Sequence, residues 1–208
     1  MAEVVEIPVV WLQGGACSGC AVSLLNSLAP NAASIVLREL TPGKHLSLRF
    51  LATIMAGQGS QVMEILSDES VKDKGQYVLV VEGSLQTGDD MFATLGEADG
   101  RETPIHETAI KLAREAAAVV CAGTCSSFGG IPAGEPNPTG AIPMAALLDR
   151  EGVDAPVINI PGCPPHPDWL VGTLMAVSMY GLQAAVAGLD DLHRAIDKAV
   201  KGKTPRPA

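Results

Sequence analysis

Five cysteines carry most of the chemistry available to this chain: Cys17, Cys20, Cys121, Cys125 and Cys163. Cys17-x-x-Cys20 is a two-ligand chelate, and Cys125 and Cys163 can each add one thiolate. Four thiolates suit tetrahedral zinc or a [4Fe–4S] cube. A structural zinc site usually pairs two local knuckles, and this sequence has one. A redox dithiol at Cys17 and Cys20 fits a strand-to-helix junction, but gives Cys125 and Cys163 no task. Spacing favours the cluster and leaves zinc, the dithiol and inert thiols open. An odd number of cysteines fits a closed disulfide framework poorly. Cys121 lies four residues before Cys125 within an apolar run and reads as a small core hydrophobe.

The elements that must position these thiols alternate in type. Short β-branched runs predict strands over 4–12, 34–40, 77–82, 118–122 and 156–160, most of them apolar on both faces. Helical patterns fall at 18–28, 52–67, 104–117, 143–151 and 168–187. That alternation predicts an α/β fold, a doubly wound parallel sheet with helices on both faces. Three of the strands run into glycine- and proline-rich loops: Gly14 to Cys20, Gly123 to Gly130, and Pro161 to Pro167. In open parallel sheets, ligands sit beyond the carboxyl ends of the strands. The four cysteines outside the predicted core should therefore meet at one edge, with Glu82 at the end of the central strand facing it.

The 208 residues carry 14 basic and 23 acidic side chains, a net charge of −9, and 47% are hydrophobic. Such a chain can bury a core, so disorder is excluded for most of it. The acidic balance and seven aromatics argue against nucleic acid and anionic membrane as partners. Residues 169–189 are uncharged over 21 positions, long enough for a membrane span. Gly172, Thr173, Ser178, Gly181, Gln183 and Gly188 dilute that stretch, which predicts a helix buried between its own core and a partner, with no membrane span. No GxGxxG motif follows Gly14-Gly15, so a nucleotide site is not expected. The start of the chain shows no export signal, which predicts a cytoplasmic protein. Residues 1–189 are expected to form the domain and 190–208 a tail. Arg194, Lys198, Lys201, Lys203 and Arg206 make that tail basic, either solvated or able to dock an acidic redox protein.

Four segments together resemble one family. Trp11-Leu12 is followed by Cys17-Ser18-Gly19-Cys20-Ala21-Val22-Ser23-Leu24-Leu25-Asn26, and later by Val81-Glu82-Gly83-Ser84. Gly123-Thr124-Cys125-Ser126-Ser127-Phe128-Gly129-Gly130 and Pro161-Gly162-Cys163-Pro164-Pro165-His166-Pro167-Asp168-Trp169 complete the set. In this order they resemble the small subunit of nickel–iron hydrogenases, over about residues 5–175.

The resemblance implies a flavodoxin-like domain holding one proximal [4Fe–4S] cluster on Cys17, Cys20, Cys125 and Cys163. It also implies an obligate large subunit bearing the Ni–Fe site where H₂ is oxidised or protons are reduced. No catalytic residue is then expected in this chain, which would pass electrons to or from a ferredoxin or a further iron–sulfur or flavin subunit. Ser18 would turn its hydroxyl towards the large subunit near a proton route, and Glu82 would lie beside the cluster. Oxygen-tolerant members carry extra cysteines where Gly19 and Gly130 stand here, which implies an ordinary four-cysteine cubane. With only Cys121 spare, a minimal, one-cluster subunit is expected. Two other readings stay open: the cluster-bearing subunit of a related quinone-reducing respiratory complex, and a zinc-stabilised non-catalytic scaffold. The former is expected to show adjacent cysteines instead of Cys17-x-x-Cys20. His166 reads as a loop hydrogen-bonding residue.

Overall fold

The computed structural model describes residues 4–72, 74–98 and 100–180. In chain order the elements are β1 (Val5–Gln13), α1 (Gly19–Leu25), α2 (Ala32–Leu37), β2 (Glu39–Thr41), β3 (Lys44–Leu51), α3 (Ser60–Lys72) and β4 (Val78–Glu82). They continue with β5 (Leu85–Gln86), β6 (Thr94–Ala98), β7 (Arg101–Pro104), α4 (Ile105–Glu115), β8 (Ala118–Ala122) and α5 (Thr124–Phe128). β9 (Ala141–Ile142), α6 (Met144–Arg150), β10 (Val157–Ile160) and α7 (Pro167–Tyr180) complete the fold.

The main sheet runs β10-β8-β4-β1-β3-β2. Its first five members are parallel, and β2 joins the outer edge antiparallel to β3. Counted along the chain, the parallel strands take the order 2-1-3-4-5, the flavodoxin-like arrangement expected of the sequence. The reason is legible in the side chains. β4 (VLVVE) and β8 (AVVCA) are buried at every position, as only strands covered on both faces can be. Val9, Trp11, Val80, Val120 and Ile160 pack on one side with Leu24 of α1 and Leu170 and Leu174 of α7. Val10, Leu12, Leu79, Val119 and Cys121 pack on the other with Leu112 of α4 and Leu147 of α6.

Two expectations change. Residues 34–40 do not form the expected single strand: 32–37 are helical, the Asn31 side chain capping that turn by accepting from the Ser34 N–H at 2.9 Å, and only 39–41 are extended, as β2. Only Ile35 of that helix is buried, so the β-branched pair Ile35-Val36 had no sheet to enter. The second parallel strand is instead β3, KHLSLRFL, whose interrupted apolar pattern suits its position beside the edge strand. The helix expected at 52–67 begins only at Ser60, after Gly57 and Gly59. α7 buries Leu170, Val171, Thr173, Leu174, Val177 and Ser178 and leaves Trp169, Met179 and Tyr180 exposed. No helix among the described residues is long and apolar enough to cross a membrane. The expected domain boundary at 189 and the basic tail lie outside the described residues.

One feature of register positions the site. Gln13 pairs with Glu82, Glu82 with Ala122, and Ile160 with Ala122. Four neighbouring strands end in one row, so their loops leave the sheet at a common level.

Candidate metal centre

Backbone hydrogen bonds lace the three cysteine loops to that row. After β1, the Gly14 N–H donates to the Glu82 carbonyl and the Gly15 N–H to that of Ser84, both at 2.8 Å. Ser18 then adopts the left-handed conformation at φ 62°, and α1 starts. After β8, the Gly123 N–H reaches the Ile160 carbonyl and the Thr124 N–H that of Gly162, each at 2.9 Å. The Thr124 hydroxyl accepts from the Gly162 N–H at 3.1 Å. Ser23 of α1 donates its hydroxyl to the Pro165 carbonyl at 2.7 Å, which closes the first loop onto the third.

Glycines make room for the thiols. A Cβ on Gly123, whose φ is +91°, would lie 2.4 Å from the Cys20 Sγ. On Gly130, at φ +58°, it would lie 2.6 Å from the Cys125 Sγ, and on Gly19 it would lie 3.1 Å from the Cys17 Sγ. Electrostatics gives the same grouping. Burial, then the charges of Glu82, Cys17, Cys125 and Cys163, push the Cys20 thiol up to about 12. Burial also raises Cys125, and Cys163, Cys17 and Glu82 add to it, while the Ile131 backbone N–H pulls it back. Cys20 and Cys125 thus both lie within reach of the charges of Cys17 and Cys163. Cys121 does not: burial takes it to about 11, the Ser126 hydroxyl offsets part of this, and no other cysteine acts on it. Strand alternation turns Cys121 into the opposite layer, against α4 and α6.

Thiols whose charges raise one another's cost of ionisation, as at Cys20 and Cys125, need a cation to be held as thiolates. The donor set is all sulfur, which fits an iron–sulfur cube or zinc. Among the described residues, the N–H groups of Cys17, Ser18, Cys125 and Cys163 donate to no protein acceptor. Such amides are the donors that sulfur atoms of a bound group would take. A second metal-like grouping, Asp90, His106 and Glu107, already has a cation. The Arg101 guanidinium sits 3.5 Å from Asp90 and 3.6 Å from Glu107.

Glu82 is buried and receives four N–H donors. The Cys20 backbone reaches its Oε1 at 2.9 Å, while Trp11 Nε1 (3.0 Å), Gln13 Nε2 (3.0 Å) and the Ala21 backbone (3.3 Å) reach Oε2. It therefore caps α1 from across the sheet, and the Ser18 hydroxyl makes no capping bond. His166 behaves as read, its Nδ1 accepting from the Asp168 N–H at 3.2 Å. The sequence reading missed Gln13 and Ile131. Gln13 was findable, since two residues after Trp11 on one strand it must share Trp11's face. Within six residues of a cysteine along the chain, Val22, Phe128, Ile131 and Trp169 are exposed apolar side chains, 47, 62, 83 and 59% accessible.

Residues 17–177 match the family described as NADH ubiquinone oxidoreductase, 20 Kd subunit. The chain is 38% identical over 193 residues to the periplasmic [NiFeSe] hydrogenase small subunit of Desulfomicrobium baculatum, covering 90% of this chain and 59% of that protein. It is 36% identical over 187 residues to the hydrogenase-2 small chain of Escherichia coli K12, covering 90% and 46%. Among solved structures, the recombinant oxidised [NiFeSe] hydrogenase from Desulfovibrio vulgaris Hildenborough superposes with a TM-score of 0.80 at 40% identity, covering 90% of this chain and 66% of that one. The chain thus spans about half to two thirds of the length of these relatives.

Proposed function

This chain belongs to the NADH ubiquinone oxidoreductase 20 Kd subunit family, and from that premise we propose that it is the electron-transfer small subunit of a [NiFe] hydrogenase. In this reading Cys17, Cys20, Cys125 and Cys163 hold one [4Fe–4S] cluster, and a large subunit carries the Ni–Fe site at which H₂ is oxidised or protons are reduced. When bound, the cluster supplies one-electron transfer between that site and an external redox partner. The observation that carries the reading is that the loops bearing the four cysteines leave one row of strand ends, with the Cys20 thiol feeling the charges of Cys17, Cys125 and Cys163.

The chain's own residues hold, shield and tune. Cys17 and Cys163 are exposed, whereas Cys20 and Cys125 are half-buried, so the set opens outward towards a partner. Val22, Phe128, Ile131 and Trp169 supply the apolar surface an obligate interface uses. The Ile131 N–H beside Cys125 stabilises added negative charge on that sulfur. The family's description also favours a second reading, a subunit of a quinone-reducing complex. The Cys17-x-x-Cys20 spacing and the hydrogenase relatives weigh against it. Copurification with a large subunit and H₂-dependent dye reduction test the proposal. A complex that reduces quinone from NADH and is inert to H₂ would overturn it.

A further inference from the structure

Gln13 and Thr53 lie outside the cysteine set, yet the structure links them to it in one directed chain. Thr53 sits in the turn after β3, and its hydroxyl donates to the Gln13 Oε1 at 3.0 Å. Gln13, the last residue of β1, donates through Nε2 to the Glu82 Oε2 at 3.0 Å. Glu82, the last residue of β4, accepts the Cys20 N–H at 2.9 Å. Turn, strand end, strand end and helix start are thus joined across the carboxyl edge of β3, β1 and β4. Every donor in the series points towards Glu82.

From this geometry we infer that Gln13 is a positioning residue for the cysteine site, and that Thr53 braces the amide in the orientation Glu82 sets. This rests on the function proposed above. An amide has one donating and one accepting end. The Glu82 carboxylate only accepts, so it selects the orientation with Nε2 towards it, and the Thr53 hydroxyl, able to donate, then satisfies the Oε1 end. A flipped amide would set its oxygen against a carboxylate. Held this way, Gln13 shares the charge of Glu82 and keeps that carboxylate aimed at the Cys20 N–H. It thereby occupies an amide next to a thiol and fixes the first turn of α1. Hydrogen bonds aligned along a chain polarise one another, so the exposed hydroxyl of Thr53 is felt at the buried carboxylate.

The test uses the whole enzyme with Gln13→Leu, Thr53→Val and Thr53→Ser variants. Hydrogen exchange of the Cys20 and Ala21 amides is measured alongside the midpoint potential and EPR spectrum of the reduced cluster. Loss of one hydrogen bond is expected to speed exchange of those amides roughly fivefold in Gln13→Leu. A less shared Glu82 charge opposes addition of an electron, so the potential should shift negative in Gln13→Leu and less so in Thr53→Val. Thr53→Ser should restore the wild-type values. Unchanged exchange in Gln13→Leu overturns the inference, as does a wild-type potential and EPR spectrum alongside faster exchange. A wild-type complex with no cluster signal would instead remove the proposed function, and the exchange measurement would then still decide the positioning role.

Discussion

The Cys20 Sγ lies against Gly123, so close that a Cβ there would come within 2.4 Å of the sulfur. A thiol from the first turn of α1 therefore rests on the first residue of the loop after β8. Two strands apart in the sheet, these segments meet only because Gly123 has no side chain and holds φ at +91°. Gly123→Ala should lower stability by about 1–3 kcal/mol from backbone strain alone and displace Cys20. Thermal unfolding and iron content measure both effects. An alanine variant with wild-type iron and wild-type melting would show that the contact is not needed.

Single replacements should sort the cysteines. Cys17→Ala, Cys20→Ala, Cys125→Ala and Cys163→Ala should each lose bound iron and the absorbance of the centre, since each removes one of four sulfur donors. Cys121→Ala should keep both, losing about 1 kcal/mol from a smaller core side chain. Retention of the full centre by one of the four, or its loss in Cys121→Ala, would break the assignment.

How far the site was legible in the sequence depends on the residue. The three cysteine-bearing loops and the sheet edge they leave could be read, because Gly and Pro cluster directly after β-branched runs. Cys121 could be set aside, since strand periodicity turns it away. Glu82 could be placed by the site but its role could not, because its four donors come from Trp11, Gln13, Cys20 and Ala21. The 61 to 71 residues that separate it from those partners leave no local pattern. β3 was missed for another reason. Its alternating KHLSLRFL has polar positions facing a partly open layer, while Ile35 and Val36 imitated a strand within a helix that Asn31 caps.

Ser18 carries strain that glycine would release. At φ 62° between the two chelating cysteines it holds a conformation that costs an L residue roughly 1 kcal/mol. Ser18→Gly should keep the metal and hold or raise the melting temperature. Ser18→Val, β-branched at the same φ, should lower it. If the valine variant melts as the wild type does, the strain is absent.

Cys121 should be silent to reagents in the native state. It is fully buried and its thiol is pushed up to about 11, chiefly by burial. At pH 8, iodoacetamide should leave it unmodified in folded protein and label it after denaturation, as mass spectrometry would read. The pH dependence follows from the sign. The folded state holds this proton more tightly than the unfolded state, whose thiol ionises near 9.0. The stabilisation is therefore complete below pH 9 and lost as pH rises towards 11. Urea midpoints should fall over that window in wild type, and fall less in Cys121→Ala. Equal falls would contradict the burial argument.

The central claim, that Cys17, Cys20, Cys125 and Cys163 together hold one iron–sulfur cube, is most directly tested by metal and sulfide analysis of the anaerobically purified complex, with EPR after reduction. About four irons and four acid-labile sulfides assigned to each copy of this chain, with a reduced-cluster EPR signal lost in Cys163→Ala, is the expected result. Stoichiometric zinc on this chain, without sulfide and without an EPR signal, would contradict it.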